Sequence, residues 1–463
     1  VRCRKWICQL NLKYQCPARS GALITRNLLN CRKDGVDTSH QIEQTVDHLF
    51  RHEWGKLVSV LTKLFGPQNL QLAEDVVQET LLTALNNWKI NGLPHNPSAW
   101  LFTAARNKAV DVLRQQKRKD DFTKTITPLL QSEYTLAPTV REMVNTNTID
   151  DDQLRMMFVC CHPTLSAEAQ VSLILKTLCG FNVTEIAKAF VSSYDAVEKR
   201  LYRARQLFRE NKVEFDLPAA AELDNRLEAV LMAIYLLFNE GYNSTNHEDL
   251  IRNDLMNEAM RLCELICRNP SVKHANTHAL MALMCFTASR NDARLDANGN
   301  ILLLKQQDRS KWNRALIETG VYHLEQSAAG ETISKYHLEA GIAYEHAQAR
   351  DYAHTNWRNI LNCYDLLYRL YPSPVIALNR AIVVSELHGA AEGITSIEAI
   401  HGLDTLKKYY LLPATLGEFC WQLKEYDKAR KYFEEATELT QSAIEKKLLQ
   451  QKLRMIETID NRQ

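Results

Sequence analysis

The sequence predicts an all-α protein, and three observations carry the prediction. Apolar residues recur at helical spacing, and strand-like alternation is scarce. Gly and Pro number 15 and 12 in 463 residues, few for a chain built from many short strands and turns. Near the C-terminus Leu387, Gly393, Ile397 and Ile400 are matched 36 residues later by Leu423, Ala429, Phe433 and Ala436, the period of a helix–turn–helix repeat. At this length one core does not suffice, and roughly two to four domains are expected.

Charge and composition narrow the class. A net charge of +1, 46% hydrophobic and 24% charged residues describe a soluble globular chain and exclude a histone-like polybasic binder, so nucleic-acid contact would come from local patches. No apolar run is long enough to span a bilayer, so no membrane role is expected. Residues 1–39 read as a basic leader. Positions 1–36 hold eight Lys/Arg against the acid Asp34, without the apolar block of a secretory signal. They are expected to be a disordered arm or an overlong reading frame, and the expected location is the cytoplasm. Of 12 cysteines, Cys3, Cys8, Cys16 and Cys31 lie in this leader and no C-x-x-C pair occurs. Adjacent Cys160 and Cys161, followed by His162, point about 100° apart on a helix, which favours buried thiols over a metal site. No metal or cofactor is expected.

The elements follow in order. Within a first module, 40–119, the clearest helix is Leu72–Trp88. Val77, Leu81, Ala84, Leu85 and Trp88 form its buried stripe, and Asp75, Gln78, Glu79 and Asn86 fall opposite, with Val76 and Leu82 as apolar neighbours. Asn91–Pro97 contains Gly92, Pro94 and Pro97 and breaks the helix. A second helix starts near Ser98, gathers Thr103, Asn107, Asp111 and Arg114 on its polar face, and ends in Lys117-Arg118-Lys119. Residues 120–150 read as a linker interrupted by Pro128 and Pro138.

The second module, 151–216, holds two helices within Phe181–Arg209. The first buries Ile186, Ala187 and Phe190, with Thr184 as the expected cap. The second buries Val197, Leu201, Ala204 and Phe208 and turns Glu198, Lys199, Tyr202, Arg203 and Gln206 outward. From Phe181 to Lys212 seven Lys/Arg face four Asp/Glu, a local excess hidden in the whole-chain charge. Such side chains suit base edges and phosphates in a major groove. After Leu217-Pro218 a helical extension, 217–463, runs to the end, and Leu416–Leu439 approaches a tetratricopeptide unit.

Together, A-E-D-V-V-Q-E-T (Ala73–Thr80), W-L-F-T-A-A-R-N-K-A-V-D-V-L-R (Trp100–Arg114) and R-L-Y-R-A-R (Arg200–Arg205), in this order, resemble the extracytoplasmic-function (ECF) group of sigma-70 family RNA polymerase sigma factors. C-C-H-P (Cys160–Pro163), L-F-N-E-G-Y (Leu237–Tyr242), Q-D-R-S-K-W (Gln307–Trp312) and S-P-V-I-A-L-N-R-A (Ser373–Ala381) resemble its subgroup with a tetratricopeptide-like C-terminal extension. The resemblance runs from about residue 40 to the end. It implies sigma region 2 at 40–119, a linker, sigma region 4 at 151–216, and core RNA polymerase (β′ clamp helices and β flap) and promoter DNA as partners. It also implies that Asp75, Gln78 and Glu79 dock on polymerase. Trp88, Trp100, Asn107, Lys108, Asp111, Arg114, Lys117 and Arg118 would handle the −10 strand, with the tryptophans as stacking platforms. Glu198, Lys199, Tyr202 and Arg203 would read the −35 element, while Arg200, Arg205 and Arg209 bind phosphate or brace neighbouring helices. Thr103 stands where many relatives carry Arg, and Glu198 where a basic residue is frequent. The extension would take over regulation, with an unidentified protein or small-molecule regulator. The chain would not be an enzyme: no nucleophile motif, phosphate loop or metal spacing marks one, and His337 and His346 read as structural. The alternative is a helix-turn-helix regulator with a helical sensor domain, which would have no use for Asp75, Gln78 and Glu79.

Overall fold

The computed structural model describes residues 38–117, 149–189, 192–211, 213–243, 251–270, 274–440 and 442–460. Among them are eighteen α-helices and no strand beyond one isolated bridge, Leu295–Ile301, so the fold is all-α. No described helix is long and apolar enough to cross a membrane. The chain forms two compact units: an N-terminal body of 38–238 with 257–270, and a C-terminal body of 239–256 with 274–460.

The N-terminal body begins with α1 (Thr38–Phe65), α2 (Leu70–Asn91) and α3 (Pro97–Lys117), which pack on one another. On α2, Val77, Leu81, Ala84 and Trp88 are buried as the periodicity predicts, while Leu85 is only partly covered. Gly92 ends the helix at φ +76°, a backbone region that disfavours a β-carbon. Pro97 is the first residue of α3 rather than part of the break: the Asn96 side chain caps the helix by accepting from the Ala99 N–H (3.0 Å), and proline suits the position after a cap. The stretch Arg118–Thr148 lies outside the described residues.

Then come α4 (Ile149–Cys160), α5 (Ala167–Thr177), α6 (Val183–Ala189) and α7 (Tyr194–Asn211). The cap of α6 differs from expectation. Asn182 Oδ1 accepts from the Glu185 N–H (2.9 Å) and the Glu185 carboxylate accepts from the Asn182 N–H (2.8 Å), a reciprocal capping box that leaves Thr184 exposed inside the first turn. Phe190 lies outside the described residues. Ser193 caps α7 through the Ala196 N–H at 3.2 Å, and Val197, Leu201, Ala204 and Phe208 are all buried. Helices α8 (Ala220–Tyr242) and α9 (Asn253–Arg268) follow.

In the C-terminal body, α10 (Ala275–Ala288), α11 (Arg314–Ser327), α12 (Lys335–Gln348), α13 (Trp357–Leu370), α14 (Pro374–His388), α15 (Ala390–Glu398), α16 (Leu411–Gln422), α17 (Tyr426–Leu439) and α18 (Ala443–Asp460) each pack on the next in the chain. Small residues let neighbouring helices of this body approach closely. A β-carbon on Gly393 would stand 2.7 Å from the Phe419 ring, and one on Gly417 would stand 2.8 Å from the Phe433 ring. Ile397, Ile400, Ala429, Phe433 and Ala436 are buried, whereas Leu423 is 40% exposed.

The short phrases of the extension prove structural. Arg309 of Q-D-R-S-K-W donates to the carbonyls of His346, in the last turn of α12, and of Ala349, its C-cap, and lies 4.2 Å over the Trp312 ring. Arg380 of S-P-V-I-A-L-N-R-A donates to Asp365 at 2.6 Å, tying α14 to α13. Tyr242 accepts from Arg290 at 2.7 Å and stacks under Arg294.

His337 and His346 are interior groups. His337 Nδ1 bonds to the Ser334 amide and hydroxyl (3.1 and 2.9 Å), and burial pushes its pKa down to about 4; burial, with Arg290 and Arg309, takes His346 down to about 3. Both are therefore neutral in the fold and protonate when it opens. Their contribution is complete above the unfolded histidine pKa, near 6.5, and is lost as pH falls toward about 4, by a few kcal/mol. The melting temperature of the full chain should fall over that window, and replacing both histidines by Gln should flatten the fall.

Candidate nucleic-acid interface

Helices α2 and α3 present two adjoining polar faces. Asp75, Gln78 and Glu79 are all exposed, and Asp75 accepts from Gln71 Nε2 at 2.8 Å. Leu82 is 52% exposed beside them, whereas Val76 is 2% exposed and belongs to the core, not to this face. Ile90 (83%) and Leu93 (43%) extend the exposed apolar set toward the loop. Periodicity alone did not single them out; the available signal was a lone apolar residue at the end of an otherwise polar helix face.

On α3 the side chains of Thr103, Asn107, Lys108, Asp111 and Arg114 are exposed. Thr103 donates to the Ala99 carbonyl (2.8 Å), Arg114 lies 3.8 Å from Asp111, and Lys108 pairs with Glu79 across the two helices. Asn107 therefore offers an amide, donor and acceptor together, on a surface flanked by cations. Lys117 closes α3 but its side chain is not among the described ones, and Arg118 lies outside the described residues.

Trp88 needs a correction. It is 6% exposed, packed between Phe50 (5.8 Å between ring centroids) and Trp100 (5.5 Å, edge-on), so its face is not offered to an unstacked base. Helical geometry explains this, since Trp88 continues the stripe of Leu81 and Ala84. Trp100 is half-buried.

On α7, Glu198, Lys199, Tyr202 and Arg203 are all exposed, with Tyr202 at 65%. They mix an acid, two cations and a phenol on one helix face, the chemistry of base-edge and phosphate contact. The remaining arginines divide. Arg200 donates to Ser172 Oγ (3.4 Å) and Arg205 to the buried Glu74 carboxylate (2.7 Å), so both brace neighbouring helices; Arg209 is exposed. Nothing in the local sequence marked Glu74, because an acid on a helix is ordinarily solvated.

Cys160 and Cys161 are fully buried, and Cys160 Sγ lies 3.4 Å from Thr177 Oγ1. Burial pushes the Cys160 thiol up to about 12 and raises Cys161 as well. Neither supplies a thiolate near neutral pH. All eight described cysteines are buried, and none forms a disulfide among the described residues.

Two family models and one relative match the chain. Residues 49–119 match the model of sigma-70 region 2, and residues 226–328 match a family of unknown function, DUF6596. The chain is 35% identical over 383 residues to an uncharacterized protein of Rhizobium meliloti (strain 1021), covering 82% of this chain and 88% of that protein. No solved structure matches. The chain thus belongs to one family with the Rhizobium protein, and its sigma-70 region 2 domain supports a sigma factor role in transcription initiation and implies binding of core RNA polymerase and promoter DNA.

Proposed function

We propose that the protein is an alternative sigma factor of the ECF group, with region 2 at 40–119, region 4 at 151–216 and a tetratricopeptide-like regulatory extension at 217–463. The observation that carries the reading is the adjacency, within the matched region 2 domain, of the exposed Asp75–Gln78–Glu79 face and the exposed Asn107–Lys108 face. The first meets the polymerase β′ clamp helices, with Leu82 as its apolar contact. The second receives the −10 non-template strand: Asn107 and Asp111 read a base, Lys108, Arg114, Lys117 and Arg118 follow phosphates, and the half-exposed Trp100 serves as a stacking platform. Trp88 supports Trp100 from the core and touches no base. Glu198, Lys199, Tyr202 and Arg203 read the −35 element, and region 4 meets the β flap. The helical extension is read as the regulatory part, and its ligand would be a protein or small molecule sensed in the cytoplasm.

The reading is tested by mixing the purified full chain with core RNA polymerase. Stoichiometric co-elution, competed by the principal sigma factor, is expected; failure to associate under any condition would remove it. A finer prediction concerns Glu198. A carboxylate in the major groove accepts from cytosine N4 and repels phosphate. Glu198→Arg should therefore change the selected −35 base at one position, with discrimination of about 10- to 100-fold at that base. Transcription from a library randomised through the −35 element measures it.

A further inference from the structure

The C-terminal body holds a cleft of 670 Å³, within the range of about 300–1,000 Å³ usual for small-molecule sites. Three stretches of chain build it: the segment between α10 and α11, the end of α16 with the turn into α17, and one face of α18. On α18, Leu449 and Ile456 belong to the core that this helix forms with α17. Leu448, Gln451, Lys452 and Met455 recur at i, i+3, i+4 and i+7 on an adjacent face and line the cleft instead. Glu418, Trp421 and Gln422 repeat that spacing on α16. From the first segment Ile301, Leu302 and Leu303 line the cleft and stay half-buried.

The charges of the cleft do not cancel. Lys305 donates to Oε1 of the half-buried Glu418 (3.1 Å) and Lys452 donates to Oε2 (2.7 Å). Burial pushes the Glu418 pKa up, but the bonds and charges of Lys452 and Lys305 outweigh it and hold the carboxyl below its usual range. The triad keeps one surplus positive charge, and each ammonium has three N–H groups to offer. Asp296, the other acid of the cleft, is already engaged: it accepts from the Asn298 and Asn300 amides (both 2.8 Å) and from the Asn300 side chain (2.7 Å). A third lysine stands where glycine is easier. The Glu425 N–H donates to the Cys420 carbonyl (2.9 Å) past the end of α16, and Lys424 takes φ +63° to close that cap. Apolar surface lies beside these cations. Trp421 meets Tyr426 edge-on at 5.6 Å, Lys452 lies 5.8 Å from the centre of the Trp421 ring, and the Met455 thioether is exposed.

We propose that this cleft binds a small organic carboxylate with a flat apolar body. Its carboxylate accepts from the lysine ammoniums, and its body lies against Trp421, Met455 and the leucines. The inference rests on the regulatory reading of the extension and gives that reading a site and a ligand class. A cationic ligand would meet the surplus positive charge, and a neutral one would leave the ammoniums without a charged acceptor. An anion with no apolar body would leave Trp421 and Met455 in water. Polarizable indole and thioether groups suit an aromatic ring.

The test is isothermal titration of the full chain with 2-naphthoate, set against neutral 2-naphthamide and against acetate. 2-Naphthoate should bind one-to-one with a Kd at or below about 1 mM, and each of the other two at least about tenfold more weakly. Lys424→Gly relieves the backbone, so the melting temperature should hold or rise, while 2-naphthoate affinity falls about threefold, the effect of one exposed charge. Met455→Glu, at an exposed position, should weaken 2-naphthoate at least about tenfold by like-charge repulsion and weaken 2-naphthamide far less. Lys431→Gln removes an exposed charge of α17 that does not line the cleft, and should change nothing. Equal affinity for 2-naphthoate and 2-naphthamide, no binding at about 5 mM, or an affinity unmoved by both cleft variants overturns the site. This titration needs no polymerase, so its failure is separate from failure of the sigma reading. If 2-naphthoate binds as expected but run-off transcription is the same with and without it, the site stands and the regulatory reading of the extension fails.

Discussion

Reversing two charges on α2, Asp75→Lys with Glu79→Lys, is expected to abolish association with core polymerase while leaving the protein folded. Both side chains are exposed, and the ion pair that Glu79 makes with Lys108 is a surface one, so the folding cost should stay within about 1 kcal/mol. At an interface the same charges matter far more. Truncating one partner of a buried, hydrogen-bonded interfacial charge pair costs about 2–5 kcal/mol, and reversal adds repulsion. Two such losses reduce affinity by about 1,000-fold or more. Equilibrium titration of labelled full chain with core polymerase measures it. An unchanged affinity would take the docking role away from this face and favour a regulator that uses only its helix-turn-helix.

Trp88→Ala is expected to have the largest effect on stability. The indole is buried against Phe50 and Trp100, and emptying such a site costs about 3–5 kcal/mol, enough to unfold a marginal domain. Trp88→Phe should be far milder, because the indole N–H has no hydrogen-bond partner among the described residues. Thermal and denaturant unfolding of the three proteins separates the two roles. A fully stable Trp88→Ala protein that fails only in strand opening would restore Trp88 as a base-stacking platform.

The contrast between Trp88 and Asn107 shows what the sequence made legible. Periodicity correctly divided α2 and α3 into buried and exposed faces, because a 3.6-residue repeat of apolar side chains is a direct consequence of burial. The same rule places Trp88 in the core, since it continues the stripe of Leu81 and Ala84, and its ring packs on Phe50 and Trp100. Val76 was misread because α2 buries a wider arc than one stripe, from Ala73 and Glu74 to Val76 and Val77. Local capping was readable only to within two residues, because Asn182 and Thr184 are both competent caps and the reciprocal bond to Glu185 decides between them. The Glu74–Arg205 pair, 131 positions apart in the chain, was not readable at all. It depends on which helices meet, and neither residue type announces burial. The repeat near the C-terminus was legible because Ile397, Ile400, Ala429, Phe433 and Ala436 are all buried at matching positions of successive helix pairs.

The measurement that bears most directly on the central claim is run-off transcription by core RNA polymerase and the full chain on a library of genomic fragments. Specific starts preceded by a shared pair of −35 and −10 elements, lost with Asp75→Lys/Glu79→Lys, are the predicted result. Sequence-specific DNA binding that never yields a start, with or without polymerase, would contradict it.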